Sequence, residues 1–152
     1  MTKAGHVKIS VKLLQRDGYP PVEWEDLWAV PQSEGFCVDS VPFYARLVSY
    51  GDIVSASEIN GYLVFDRVQT PGGHSTIRVI LYVDELVSQV RSEVERLGCS
   101  TELSNIETFF SIDVPPNVEY WGVIDLLDMY VERGVLDYEE SAIQHEERDG
   151  PS

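Results

Sequence analysis

The stretch STIRVILYVDELVSQVRSEVERLG, residues 75–98, decides the fold because it joins a strand pattern directly to a helix pattern. Its first part is apolar at both odd and even positions, which predicts a strand over 75–83 that is buried on both faces. Asp84 then suits a helix N-cap, and Gly98 supplies the left-handed residue that ends a helix. The apolar residues at helical spacing between them are Leu86, Val87, Val90, Val94 and Leu97.

Downstream of this unit the patterns alternate again between strand and helix. We expect strands at 99–103, 108–114 and 136–144, with a second helix after Pro115-Pro116-Asn117 that ends near Arg133. The resulting order, β-α-β-β-α-β, predicts a ferredoxin-like module over residues 73–145. Residues 146–152 are predicted to form a flexible tail.

Upstream of residue 73 the chain reads as short strands separated by Gly and Pro turns. Val7, Ile9, Val11 and Leu13 alternate with polar residues, which is typical of a half-buried strand. Further strand-like runs lie at 24–30, 36–40, 53–57 and 61–69, whereas 42–50 fits either a helical turn or a strand. Close-spaced strands of this kind predict a small β-barrel or curled sheet over residues 1–72. The predicted class is therefore α+β, with two modules.

The charge of the chain is strongly negative. It has 11 Lys and Arg against 26 Asp and Glu, a formal charge of −15 in 152 residues. Such a charge repels phosphate backbones and anionic lipids, so we expect binding neither to nucleic acid nor to membranes. The excess is uneven, because residues 1–90 carry 7 basic and 11 acidic side chains and residues 91–152 carry 4 and 15.

Targeting and cofactor signals are weak. No apolar run follows Met1, and no window approaches the roughly 18 apolar residues of a membrane span. We therefore expect a cytoplasmic protein with Cys37 and Cys99 reduced. His6, His74 and His145 lack the spacing of a zinc site, and the nucleophile-elbow motif is missing. We predict no metal, no cofactor and no catalytic residue.

A first candidate site surrounds His74. In the segment GGHSTIR, residues 72–78, the side chains of His74, Thr76 and Arg78 share one face of the predicted strand and could bind a small anion or carboxylate. Asp52, Tyr138 and Glu139 are further candidates for this ligand site. The alternative is structural: Thr76 and Arg78 make cross-strand hydrogen bonds, and His74 fixes the joint between the halves.

A second candidate site is the outer stripe of the second helix. Trp121, Asp125, Asp128 and Glu132 recur at spacings of four, three and four residues, which puts an indole and three carboxylates on one face. An aromatic anchor among acids suits docking to a basic protein. The alternative is a solvated face with Trp121 packed against the first module.

Several segments together give a family resemblance. They are EDLWA (25–29), VPFYA (41–45), YGDIV (50–54), GHSTIRVIL (73–81) and LDYEE (136–140). Over residues 24–144 the chain resembles the bacterial proteins of domain of unknown function 4265. The resemblance implies a compact bacterial protein with this element order, and it carries no activity. It draws attention to Pro42, Phe43, Tyr44, Asp52, His74, Ser75, Arg78, Tyr138 and Glu139.

Three functions remain open on the sequence. The leading hypothesis is a non-catalytic, immunity-like or inhibitor-like acidic protein that docks to a basic protein, as a monomer or homodimer. One alternative is a small-molecule-sensing module, which rests on fold analogy. The other is a small enzyme centred on His74 with Asp52 or Glu139.

Overall fold

The first half of the chain forms a closed five-stranded β-barrel in the computed structural model, which describes residues 5–146. Successive strands pair antiparallel, and the fifth closes onto the first in parallel. The parallel closure follows from the odd number of strands, because the first and fifth strands of a meander run in the same direction. The strands are β1 (Val7–Lys12), β2 (Trp24–Gln32), β3 (Gly35–Val38), β4 (Ile53–Ile59) and β5 (Tyr62–Thr70).

The period-two pattern of β1 decides which side chains fill the barrel. Ile9 and Val11 are buried inside it, whereas Lys8 and Lys12 lie on the outer surface. The remaining interior is apolar and comes from several strands and one connecting segment. The buried cluster consists of Val11, Leu13, Leu27, Val38, Ala45, Val48 and Val54.

The segment 42–50 forms neither the helical turn nor the strand that its sequence allows. It is a series of bends and turns, and its Ala45 and Val48 side chains help to fill the barrel. The Glu25 carboxylate holds it by accepting the backbone N–H groups of Phe43, Tyr44 and Ala45 at 2.6, 3.1 and 2.7 Å. A carboxylate from β2 thus satisfies amide groups that a regular element would have paired internally.

The second half forms a four-stranded antiparallel sheet of order β7-β8-β6-β9 with two helices on one face. The predicted mixed α+β class is confirmed. As the apolar run within residues 75–83 predicts, β6 is a central, buried strand. The elements are β6 (Ser75–Leu81), α1 (Val87–Arg96), β7 (Ser100–Leu103), β8 (Phe109–Val114), α2 (Tyr120–Glu132) and β9 (Leu136–Ala142).

The helix ends agree only partly with the sequence pattern. Gly98, with φ +105°, follows α1 and donates its N–H to the Glu95 carbonyl at 3.0 Å, as predicted for a left-handed stop. The prediction that Asp84 caps α1 is wrong, because Asp84 lies inside a 3-10 turn, Asp84–Leu86, that precedes the helix. No side chain caps that turn or α1, whereas Glu119 caps α2.

The two faces of β6 have different chemistry. Ile77, Val79 and Leu81 pack into the apolar core under α1 and α2. Thr76 and Arg78 alternate with them and point to the opposite face, which meets the barrel half through residues 43–49. The polar face of the sheet is therefore the surface that joins the two halves of the molecule.

Both cysteines, Cys37 and Cys99, are free thiols, as expected. None of the helices in the described part of the chain is long and apolar enough to cross a lipid bilayer. Residues 147–152 of the predicted tail lie outside the described residues.

The buried carboxylate of Asp52 ties three distant segments together. Its Oδ2 accepts the Ser49 N–H at 2.9 Å, and its Oδ1 accepts the Gly72 N–H and the Gln144 Nε2 amide, each at 2.9 Å. Asp52 is completely inaccessible to solvent. The loop before β4, the connection between β5 and β6 and the end of the chain after β9 therefore share one acceptor.

We predict that Asp52→Ala lowers the free energy of unfolding by about 3 kcal/mol or more, because three donors from different segments lose a fully buried acceptor. Urea denaturation followed by circular dichroism measures the change. The matched control is Asp66→Ala, which removes an exposed carboxylate bonded to Ser57 and is expected to cost less than about 1 kcal/mol. Equal losses in the two variants would contradict the assignment.

Candidate functional site

His74 forms a buried pair with a carboxylate of the neighbouring strand. Its Nδ1 lies 2.8 Å from Oδ1 of Asp113, and the Tyr50 ring contacts the imidazole edge-on at a centroid distance of 5.2 Å. Burial raises the pKa of Asp113, although the hydrogen bond from His74 opposes the shift. Gly51, with φ +86°, allows the close approach, because a Cβ there would lie 3.1 Å from the imidazole.

Thr76 and Arg78 bind the 43–49 segment of the barrel half. The Thr76 hydroxyl lies 2.6 Å from the Ser49 hydroxyl, and both groups are fully buried. Arg78 is 4% exposed and donates from Nη1 to the Phe43 carbonyl at 2.7 Å. Its Nη2 lies 3.4 Å from a Glu139 carboxylate oxygen that also binds Arg46.

The residues predicted for a ligand site near His74 do not converge on one cavity. His74 binds Asp113, Asp52 binds backbone amides and Gln144, and Glu139 binds the two arginines. Among residues 5–146, no hydrogen bond joins His74 to Asp52 or Glu139. Tyr138 lies on the opposite face of the sheet, where it pairs with Val79 and donates its hydroxyl to Asp128 at 2.6 Å. The arrangement resembles a set of polar contacts that joins the barrel half to the second half of the chain.

A hydrogen-bonded pair formed by His145 and Ser75 was not predicted from the sequence. The His145 Nε2 lies 2.8 Å from the Pro115 carbonyl, so Nε2 carries the proton and Nδ1 accepts the Ser75 hydroxyl at 2.6 Å. Ser75 is buried, and its oxygen also accepts the Gln144 N–H at 2.8 Å. The hydrogen-bonding positions of the Ser75 hydroxyl are therefore occupied by bonds within the fold, and these bonds fix the position of His145. No local signal reveals a contact across 70 residues.

An open groove of about 810 Å³ lies beside the start of α2, and we call it the α2 groove. Trp121 is half-buried there, and its indole Nε1 donates to the Glu146 carbonyl at 3.0 Å. Ten residues line the groove, and none of them is a lysine or an arginine. They are Gly73, Pro116, Val118, Glu119, Tyr120, Trp121, Asp125, Gln144, His145 and Glu146.

All four residues of the predicted docking stripe lie on α2. Trp121 and Asp125 line the α2 groove, and Asp128 and Glu132 continue the stripe along the helix. The three carboxylate residues are exposed, and the indole is neither wholly interior nor wholly exposed. The structure therefore brings together an aromatic wall and an acidic surface.

The family model for a domain of unknown function, DUF4265, matches residues 25–138, about three quarters of the chain. The chain belongs to this family. It is also similar to the crystal structure of a hypothetical protein from Neisseria gonorrhoeae, with a TM-score of 0.76 and 20% identity over 90% of this chain and 96% of that one. At this identity the likeness shows the fold alone. No curated protein matches the chain.

In the described part of the DUF4265 chain, tyrosine hydroxyls bind four carboxylates of the second half. The four pairs in the second half are Tyr82–Asp137, Tyr120–Glu140, Tyr130–Glu93 and Tyr138–Asp128, with O–O distances of 2.5, 2.6, 2.8 and 2.6 Å. A neutral hydroxyl satisfies a carboxylate and leaves its negative charge in place. Glu139 differs, because it is paired with Arg46 and Arg78. These four carboxylates of the DUF4265 protein are therefore fixed in position without being paired with a cation.

The pairs also affect the dependence of stability on pH. Burial and the hydrogen bond to Glu140 raise the pKa of Tyr120 above its ordinary value of 10. The unfolded chain loses this proton near pH 10 and the folded DUF4265 protein keeps it to higher pH. The stabilising contribution is therefore complete below pH 10 and is lost as the pH rises above it, by about 1.4 kcal/mol per pH unit.

We predict that Tyr120→Phe makes the alkaline loss of stability shallower by about 1.4 kcal/mol per pH unit above pH 10, because phenylalanine has no proton to lose. At pH 8 the variant should be less stable by about 1 to 2 kcal/mol, since Glu140 loses a buried donor. Urea denaturation of both proteins at several pH values tests this. Parallel pH profiles for the two proteins would refute the role of Tyr120.

Proposed function

We propose that this DUF4265 protein is a non-catalytic binding protein that docks a basic protein partner on α2 and the α2 groove, in the manner of an immunity or inhibitor protein. The observation that carries the proposal is the groove itself. Its wall contains the half-buried indole of Trp121, and its acidic residues are Glu119, Asp125 and Glu146, with no lysine or arginine in the lining.

The electrostatics of the second half support this proposal. Residues 91–152 carry 15 acidic and 4 basic side chains. The tyrosine hydroxyls that bind Glu93, Asp128, Asp137 and Glu140 fix these carboxylates without neutralising them. A persistent negative field of this kind accelerates encounter with a positively charged protein, and salt screens it.

The aromatic wall supports a specific contact within that field. The edge-on contact with Tyr120, at a centroid distance of 5.1 Å, and the hydrogen bond to the Glu146 carbonyl fix the orientation of Trp121. An ordered indole beside a carboxylate suits an arginine or lysine side chain, whose cation binds the ring face and whose stem covers apolar surface. We therefore place a basic side chain of the partner in the α2 groove.

The enzyme alternative has less support from the geometry. The catalytic site considered from the sequence needs Asp52 or Glu139 within reach of the His74 imidazole. His74 instead binds Asp113, and Asp52 and Glu139 are engaged elsewhere in the joint between the two halves. Their bonds match the structural interpretation of this cluster.

Two finer features belong to the same proposal. We infer that the second half is a ferredoxin-like module, supported by the order β7-β8-β6-β9 with helices after β6 and β8. We also infer that the protein acts in the cytoplasm, where two free thiols such as Cys37 and Cys99 persist in reduced form.

The test uses a labelled octa-arginine peptide as the basic probe and fluorescence anisotropy as the readout. The variant Asp125→Asn/Asp128→Asn/Glu132→Gln removes the charges of the stripe and keeps the side-chain shapes, including an acceptor for Tyr138. We predict that it weakens binding at least about tenfold at low salt, because three charges next to the bound peptide are lost. Raising the salt concentration should reduce the difference between variant and wild type.

The matched control is Asp17→Asn/Glu23→Gln/Glu58→Gln, which changes the net charge equally at exposed positions of the barrel half. We expect it to alter the dissociation constant less than about twofold. If both triple variants weakened the peptide equally, binding would follow net charge alone, and the assignment to α2 would fail. Trp121→Ala should weaken the peptide further by removing the aromatic contact.

A further inference from the structure

A second groove, of about 410 Å³, lies on the outer wall of the barrel, and we call it the barrel groove. Its walls are mainly apolar. Trp24, Ile59 and Tyr62 are 44%, 52% and 67% exposed, and Val64 completes the apolar lining. Large apolar side chains gathered in one concave surface mark a binding site more often than singly exposed ones do.

The register of the barrel creates this surface. Ile9 and Val11 of β1 point inward, so Ser10 points outward between them. Ser10 lies opposite Asp26 of β2 and opposite Val64 of β5, and the neighbouring Trp24 lies opposite Lys12. The turn at Asn60, between β4 and β5, brings Ile59 and Tyr62 to the same place.

Two polar groups of the barrel groove, Ser10 and Asp26, can accept hydrogen bonds from a ligand. The Ser10 hydroxyl donates its proton to Oδ1 of Asp26 at 2.7 Å, which fixes the carboxylate and leaves the hydroxyl oxygen as an acceptor. A carboxylate has several acceptor positions, and this bond uses one of them. A positively charged donor therefore gains most from Asp26.

The Trp24 indole of the barrel groove is contacted by a lysine that does not itself line the groove. The Lys12 Nζ lies over the Trp24 ring, 5.0 Å from its centroid, and Lys12 does not line the barrel groove. The neighbouring Lys8 makes the same contact with Trp28 at 5.2 Å, away from the groove. A fixed aromatic wall costs less side-chain entropy when a ligand binds.

We propose that the barrel groove binds a small aromatic amine, with the ring between the side chains of Trp24 and Tyr62 and the ammonium group donating to the Asp26 carboxylate. The apolar walls accommodate one ring, and the fixed carboxylate selects the positive substituent. The site lies on the barrel half and uses no residue of α2, so it stands independently of the proposed docking function.

The test is a titration with 2-phenylethylamine, observed in amide and indole NMR spectra of the full-length protein. The indole N–H of Trp24 and the backbone amides of Ser10 and Tyr62 should shift. 3-Phenylpropionate carries the same ring with a negative group, and we expect it to bind at least about tenfold more weakly, because its charge faces Asp26. Equal binding of the two probes, or the absence of shifts at these residues, would overturn the proposal.

Amino-acid substitutions distinguish the contribution of the Asp26 carboxylate from that of other groups on the barrel. Asp26→Asn should weaken 2-phenylethylamine about tenfold and leave 3-phenylpropionate no weaker than before. The matched control is Asp66→Asn, because Asp66 accepts the Ser57 hydroxyl at 2.8 Å on the same barrel but lies outside the groove lining. Tyr62→Ala, at an exposed position, should weaken both probes. Equal effects of Asp26→Asn and Asp66→Asn would overturn the role of Asp26.

Discussion

The hydrogen bonds that hold residues 42–52 between the barrel and the four-stranded sheet are the constraint on which the rest of the structure depends. Glu25 accepts three backbone amides of this segment, and Arg78 donates to the carbonyl of Phe43. Asp52 then joins the segment to Gly72 and Gln144. Because charged groups buried without partners are costly, these contacts specify one relative position of the two halves. The α2 groove depends on that position, since Gly73 and Gln144 help to line it.

The local sequence pattern predicts the helices and strands well, but it does not predict the contacts that join the two halves of the molecule. The apolar runs predict β6 and both helices, and Gly98 ends α1, because each signal needs only neighbouring residues. The conformation of the 42–50 segment depends on Glu25 and Arg78, which lie up to 35 positions away. The placement of Trp121, Asp125, Asp128 and Glu132 on one helix was predictable for the same local reason as α2 itself. On the sequence alone, Tyr138 and Glu139 belong to the same candidate ligand site. Because adjacent strand residues point to opposite faces of the sheet, these two side chains do not share a surface.

The excess of acidic residues need not serve solubility alone. In many proteins a partly buried carboxylate is stabilised by a cation, which cancels its charge. Here Glu93, Asp128, Asp137 and Glu140 are held by tyrosine hydroxyls, so position and charge are both retained. A fixed array of charges loses less conformational freedom on binding than a set of mobile side chains. Four of the eight tyrosines of this chain therefore contribute to its electrostatics, and two of these four, Tyr120 and Tyr130, are also buried in its core.

The two grooves combine aromatic and acidic residues, yet their surroundings favour different ligands. The α2 groove has about twice the volume of the barrel groove, 810 against 410 Å³, and continues into the exposed acidic stripe of α2. A protein surface can follow that stripe and insert one basic side chain. The turn residue Asn60 lines the barrel groove, and the single carboxylate of the groove is fixed by Ser10. The smaller volume and the single carboxylate suit a small molecule better than an extended protein surface.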